Sequence, residues 1–345
     1  MEKHQSILEL HPGLVWGFAV TVVIMLLLDL GVFNKKSHEV SSKEATIWSV
    51  VWISLSMIFS GVVYWVFNQA DGHHLAVEKF TQYQAAYWIE KALSVDNLFV
   101  FILVFGFFKV PKYLHHKVLF WGIIGALIFR AIFIFAGVEL INLTYLPEMH
   151  IFGEAVKINI VMALFGIFLI YAGIKSWGDG GDDEDEDFSN TAGAKLIKSF
   201  WKVADNYDGD KFFTVKNGIR MATPLLVVVG VIEFTDVLFA VDSIPAIFAI
   251  SDDPFILYTS NIFAILGLRS LYFLLANFIH MFSKLPYGLA IILSFIGVKM
   301  LIAPWIHISS PISLGVVGGV LVISVILSIM FPEKEDEAKE KLEEK

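Results

Sequence analysis

Apolar residues fall in nine long runs separated by polar segments, at about 13–33, 46–67, 85–108, 118–141, 158–176, 223–250, 255–278, 287–304 and 311–331. Runs of about 18 or more apolar residues predict transmembrane helices. The pattern therefore predicts an all-α polytopic membrane protein with about nine spans. The first run reads as a span and not as a cleaved signal. The leading segment Met1 to Pro12 is not basic, the run is too long for a signal core, and no small-residue cleavage site follows it.

Lysine and arginine set the orientation. Lys35, Lys36 and Lys43 share the loop after span one, and Lys109, Lys112 and Lys117 the loop after span three. Lys195, Lys198, Lys202 and Arg220 follow span five, and Lys284 follows span seven. With nine spans every basic loop falls on one side, which predicts the N-terminus outside and the C-terminus in the cytoplasm. Composition agrees with a membrane protein. Of 345 residues, 57% are hydrophobic and 17% charged, with a mean hydropathy of +0.70. A soluble domain carries about 25% charged residues. The chain has no cysteine, which excludes thiolate metal sites and thiol chemistry, and its net charge of −9 argues against a nucleic-acid partner.

Two stretches resemble each other. Glu90-Lys-Ala-Leu-Ser-Val-Asp96-Asn97 lies in span three and Asp236-Val-Leu-Phe-Ala-Val-Asp242-Ser243 in span six. Phe129-Arg130-Ala131 echoes Leu268-Arg269-Ser270, and Ala172-Gly173-Ile174-Lys175 echoes Ile296-Gly297-Val298-Lys299. Spans three to five and six to eight thus read as two three-helix repeats. An odd number of helices per copy gives the copies opposite orientation in the bilayer, and inverted repeats of this kind mark secondary transporters, with the substrate site at the repeat interface. The chain then divides into an N-terminal two-helix segment (1–84), a first repeat (85–176), an acidic cytoplasmic loop (177–221), a second repeat (222–304), a ninth helix (305–332) and a charged tail (333–345). The acidic run 178–187 reads as a solvated linker. Asp205–Asp210 lacks the spacing of a calcium loop. Thr223-Pro224 reads as a helix-opening pair.

Glu90, Asp96, Glu233, Asp236 and Asp242 sit in two spans. A charge at the centre of a membrane helix costs about 2.5–3.5 kcal/mol on insertion scales, so these acids must be paired, protonated, hydrated or bound to a cation. Lys91, Arg130, Arg269 and Lys299 are the intramembrane bases, read as balancing the empty site and helping to close it. With Asn97, Thr235 and Ser243 the acids offer hard oxygen ligands that suit Mg2+, Ca2+ or Mn2+, while the histidines lie in loops or at span ends. Asp236 and Asp242 are six apart and would not share a face of a straight helix, so Pro245 is expected to break span six. Gly61, Gly125, Gly166, Gly173 and Gly297 are expected to permit close helix approach. An intramembrane aspartyl protease, with Asp96 and Asp242 as a dyad, would leave the other acids unexplained, and no enzyme activity is expected.

The segments Ile89–Val100, Ala222-Thr-Pro-Leu225, Glu233–Phe248 and Asn261-Ile-Phe-Ala-Ile-Leu-Gly-Leu-Arg269 resemble the signatures of the TerC family of integral membrane proteins, and the resemblance covers about 10–332. It implies a multi-pass protein of the bacterial inner membrane, of the LysE-like transporter superfamily, with manganese export as the activity. On that reading Glu90, Asp96, Asn97, Glu233, Asp236, Asp242 and Ser243 bind the metal. Mn2+ is transported substrate and no cofactor is permanently bound. Burial and like-charge crowding favour proton uptake by carboxyls, so proton exchange is the expected coupling. The alternative is a metal-delivery or scaffold protein without flux.

Overall fold

The computed structural model describes residues 11–33, 41–151, 154–178, 188–216, 218–278, 284–306 and 308–331, with their side chains save at 28–33, 96, 99, 150–151, 154–155, 178, 241–242 and 277–278. The tail 333–345, nearly all of the acidic run and the residues before 11 lie outside the described residues. The fold is helical, with two small antiparallel hairpins at helix connections. In chain order the elements are α1 (Pro12–Phe33), α2 (Ser42–Ala70), α3 (His73–Phe107), α4 (Lys112–Leu143), β1 (Met149–Ile151), β2 (Glu154–Val156), α5 (Ile160–Gly178) and α6 (Ala192–Phe200). They continue with β3 (Phe213–Lys216), β4 (Ile219–Ala222), α7 (Pro224–Phe248), α8 (Pro254–Leu266), α9 (Leu268–Phe278), α10 (Leu285–Ile302) and α11 (Ser310–Met330).

Among the described residues, seven helical segments are long and apolar enough to cross a bilayer: α2, α4, α5, α7, the stretch Pro254–Ala276, α10 and α11. They match seven of the nine expected spans and make the chain a polytopic all-α membrane protein. The other two expected spans are helical as well. The apolar part of α1 that is described runs from Pro12 to Leu27, and α3 carries Glu90, Lys91 and Asp96 within its apolar part.

Two expectations need correction. The third span is part of a longer helix. Helix α3 starts at His73 and runs for 35 residues, about 50 Å at 1.5 Å per residue, so the boundary placed at 84 falls inside a continuous helix. Span six is not broken at Pro245. Helix α7 passes through that proline and ends at Phe248. A proline this near the C-terminus removes only one bond from the final turns. The break lies instead in span seven, at Gly267, between α8 and α9. There Lys91 of α3 reaches the end of α8 and donates from Nζ to the Ala264 carbonyl at 3.3 Å. A cation on the last carbonyls of a helix is favoured by the helix dipole.

Local signals explain several ends. Ser41 caps α2 by accepting from the Glu44 N–H, and Asp253 caps α8 by accepting from Phe255 and Ile256, with Pro254 at the first position. Thr223 does precede α7, but its hydroxyl donates to the Lys211 carbonyl at 2.7 Å and so ties the helix start to the preceding loop. The second half of the loop 177–221 is folded. Helix α6 lies against α7 where Gly193 meets the Gly230 backbone, leaving no room for a methyl group. Hairpin β3–β4 follows. In the segment set aside as a calcium loop, Asp208 accepts from Lys211 and Thr214, and Asp210 accepts from Lys117, so lysines occupy its carboxylates.

Three apolar clusters hold the bundle. Helix α3 runs through all of them, packing on α2, α7, α8 and α11. Helix α4 packs on α7, and α5 packs most extensively on α10.

Candidate functional site

Glu90 on α3 is completely buried, so its carboxyl needs polar partners from the helices around it. Glu90, Arg130, Asp236 and Asn261 are 0%, 1%, 3% and 0% exposed. Arg130 comes from α4, Asp236 from α7 and Asn261 from α8, so four helices meet here. The Arg130 guanidinium sits among the acids. Its Nη1 donates to Glu90 Oε1, to Asn261 Oδ1 at 3.1 Å and to Ser243 Oγ at 3.4 Å. Its Nη2 donates to Asp236 Oδ1 at 3.4 Å. Asn261 Nδ2 donates to the other Glu90 oxygen at 3.0 Å, and Ser94 Oγ to Oε1 at 3.4 Å. Arg130 Nε and Asp236 Oδ2 are buried without a hydrogen-bond partner.

The structure brings together Glu90, Asp236 and Ser243 of the expected ligands, around an arginine. Asn97 is buried on α3. The side chains of Asp96 and Asp242 lie outside the described residues, and among the described residues no group of three His, Cys, Asp or Glu is placed to hold a metal. Glu233 occupies a separate niche. Its carboxyl lies where Gly125 of α4 has no side chain; a methyl group there would overlap it, and Oε2 is buried without a partner. Thr235, one turn from Val231, donates to that carbonyl at 2.8 Å.

Of the four intramembrane bases, Arg130 bonds the acids. Arg269, its counterpart in the repeat, is buried and lines a cavity of about 10 Å3 together with Asp236, Phe101, Gly122 and Leu268. Lys91 bonds the end of α8, as above. Lys299 donates to Ser313 Oγ of α11 at 2.8 Å. It lines a separate cavity of about 600 Å3 with His73, His74, Glu78, Gln82 and Ser309. Both lysines are thus engaged away from the acids. The sequence reading omitted Asn261 and Ser94 from the site. A buried amide in an otherwise apolar span was the available signal for Asn261, since such a group requires partners.

Helices α5 and α10 meet at their glycines. A methyl group added at Gly173 would lie 2.7 Å from the Ala290 carbonyl oxygen, and one at Gly297 would lie 2.6 Å from the Gly166 carbonyl oxygen. The alignment that pairs Gly173 with Gly297 also pairs Gly166 with Ala290. Each contact is therefore the image of the other. Gly61 differs from the expectation, with nothing within 4 Å of a built methyl group.

The profile described as Integral membrane protein TerC family matches residues 75–336. An uncharacterized membrane protein of Myxococcus xanthus is 42% identical over 92% of this chain and 92% of its own length. Proteins named as the membrane-bound redox modulator Alx, from Salmonella typhi and Escherichia coli K12, are 41% and 40% identical. Each alignment covers 94% of this chain, with 96% and 97% of the relative. No solved structure matches the chain.

Proposed function

The chain belongs to the TerC family of integral membrane proteins, and from that premise we propose that it is a secondary transporter exporting Mn2+ from the cytoplasm across a bacterial inner membrane. The observation that carries this reading is the meeting of Glu90 and Asp236, from corresponding positions of the two signatures, at full burial with Ser243 and Asn261 beside them. These are hard oxygen ligands, the class that suits Mn2+, Mg2+ or Ca2+. The family resemblance favours manganese among them.

The proposal includes nine spans, with the N-terminus outside and the C-terminus cytoplasmic, and two inverted three-helix repeats. The reciprocal glycine contacts of α5 and α10 support the repeats, as does the exchange of partners in which α3 packs on α8 while α4 packs on α7. Alternating access then moves one repeat against the other about the acids. Proton exchange is the proposed coupling. Asp236 Oδ2 and Glu233 Oε2, each buried without a donor, are the oxygens on which a proton would be carried. A redox role, named for the relatives, could not run through a thiol of this chain, which has none.

The test is flux from proteoliposomes with Mn2+, Mg2+, Ca2+ and Zn2+ for wild type, Asp236→Asn and Asp242→Asn. The expected result is selective Mn2+ movement, with a coupled proton flux, that both substitutions abolish. Mn2+ binding without flux in correctly inserted protein would overturn export and favour metal delivery or a scaffold.

A further inference from the structure

We infer that Arg130 is a tethered stand-in for the transported cation, and that it decides whether the carrier performs net transport or only exchange. The inference rests on the export reading and adds the identity of the group that occupies the site when cargo is absent.

Three observations carry it. First, Arg130 holds the place a cation would take. Its guanidinium contacts oxygens of Glu90, Asp236, Ser243 and Asn261 from three helices. Second, the same oxygens cannot serve both. The guanidinium occupies Glu90 Oε1, Asp236 Oδ1, Ser243 Oγ and Asn261 Oδ1, and a divalent ion bound by them would meet a like charge at contact distance, so it must displace the guanidinium. Third, Arg130 is held through its terminal nitrogens while Nε is without a partner. No hydrogen bond along its stem therefore holds the group in place once its terminal nitrogens let go.

The charges give the consequence. With Arg130 in place, Glu90 and Asp236 sum with it to a single negative charge. With a divalent ion in its place they sum to zero, and with neither they leave two like charges buried together. The last state is the most costly, because two buried like charges then face each other with no opposite charge between them. A carrier that has released its cargo must reorient empty to complete net transport. Arg130 makes that return possible by returning to the acids as the metal leaves. Exchange of one metal ion for another never requires the empty state to reorient, so it does not need Arg130.

The experiment compares two modes in proteoliposomes: net Mn2+ efflux into metal-free buffer, and isotopic Mn2+ exchange with equal metal on both sides. Arg130→Gln is expected to lower net efflux about tenfold or more, the effect of one raised barrier, and to leave exchange within about threefold of wild type. Arg130→Lys keeps the charge and is expected to restore part of the net flux. A folded Arg130→Gln protein in which both modes fall together, or both survive, would overturn the inference. If the glutamine variant does not fold, Arg130→Lys carries the test. Its point charge cannot span both acids as a fork does, so net efflux must fall more than exchange, and a parallel change overturns the inference. Wild-type protein that moves no Mn2+ in either mode would refute export itself, an outcome distinct from these.

Discussion

Glu90 and Asp236 hold the same place in the two signatures, yet their surroundings differ. Glu90 has both oxygens occupied, one by Arg130 and Ser94 and the other by Asn261. Asp236 has one oxygen 3.4 Å from Arg130 and a second oxygen without a partner. One copy of the motif has become an anchor for the arginine, and the other presents an incompletely satisfied acid to the same point. In a low-dielectric interior that asymmetry separates what holds the bundle together from what is available for chemistry.

Removing the better-bound partner should therefore have the larger effect on stability. Glu90→Gln leaves Arg130 buried with only its weaker acid, and breaking a buried pair from one side costs about 3–5 kcal/mol. Asp236→Asn removes one long hydrogen bond to a charged group and should cost no more than about 1.5–3 kcal/mol. Denaturation midpoints in detergent, measured side by side, decide the matter. Equal losses would mean that the two acids are equivalent and that the described asymmetry carries no weight.

The spans were legible because a bilayer demands long apolar runs, and those runs sit plainly in the sequence. The acids were legible for the opposite reason, as charges where none should be. What the sequence concealed was non-local. Helix α3 continues outward through His73, His74, Glu78 and Lys79 because other helices pack on it there, while its own residues give no apolar run. The break at Gly267 is met by Lys91, which is remote in the chain and bonds the Ala264 carbonyl only in the fold. Pro245, the visible helix breaker, is absorbed near the end of α7. Asn261 joins the site because α8 faces α3 and α4, a fact of packing that no local pattern contains.

Where the surroundings of Glu90 and Asp236 differ, the glycine contacts of α5 and α10 are alike, and that likeness can be tested separately. Gly173→Ala and Gly297→Ala each push a methyl group against a backbone carbonyl of the facing helix, at 2.7 and 2.6 Å. Overpacking of this kind costs about 1–3 kcal/mol. The two variants are expected to lower the melting temperature by similar amounts. A large loss at one and none at the other would show that the α5–α10 contact is not reciprocal and would remove the main support for the repeats. The nearest atoms to a methyl group at Gly125 belong to the far end of the Glu233 side chain and not to a backbone carbonyl, so Gly125→Ala serves as the control with the smaller change.

The buried arginine also contrasts with an ion pair at the surface. Lys117 of α4 donates to the Asp210 carboxylate at 3.1 Å and to the same residue's carbonyl, and so ties the loop before β3 to the helix. Asp210 is 73% exposed at its side chain, so water and salt screen the pair. The Lys117 ammonium holds the Asp210 carboxyl below the usual carboxylate range. A lowered acid stabilises the fold above its unfolded-state value, about 3.9 for aspartate, and loses that contribution as pH falls through the lowered value. Wild type should therefore melt slightly above Asp210→Asn at neutral pH, and the gap should close in acid and shrink in high salt. The Glu90 effect, shielded from solvent, should keep its size in the same salt series. A gap at Asp210 that widened on acidification would mean that the fold raises its carboxyl, and that Lys117 does not hold it as a carboxylate.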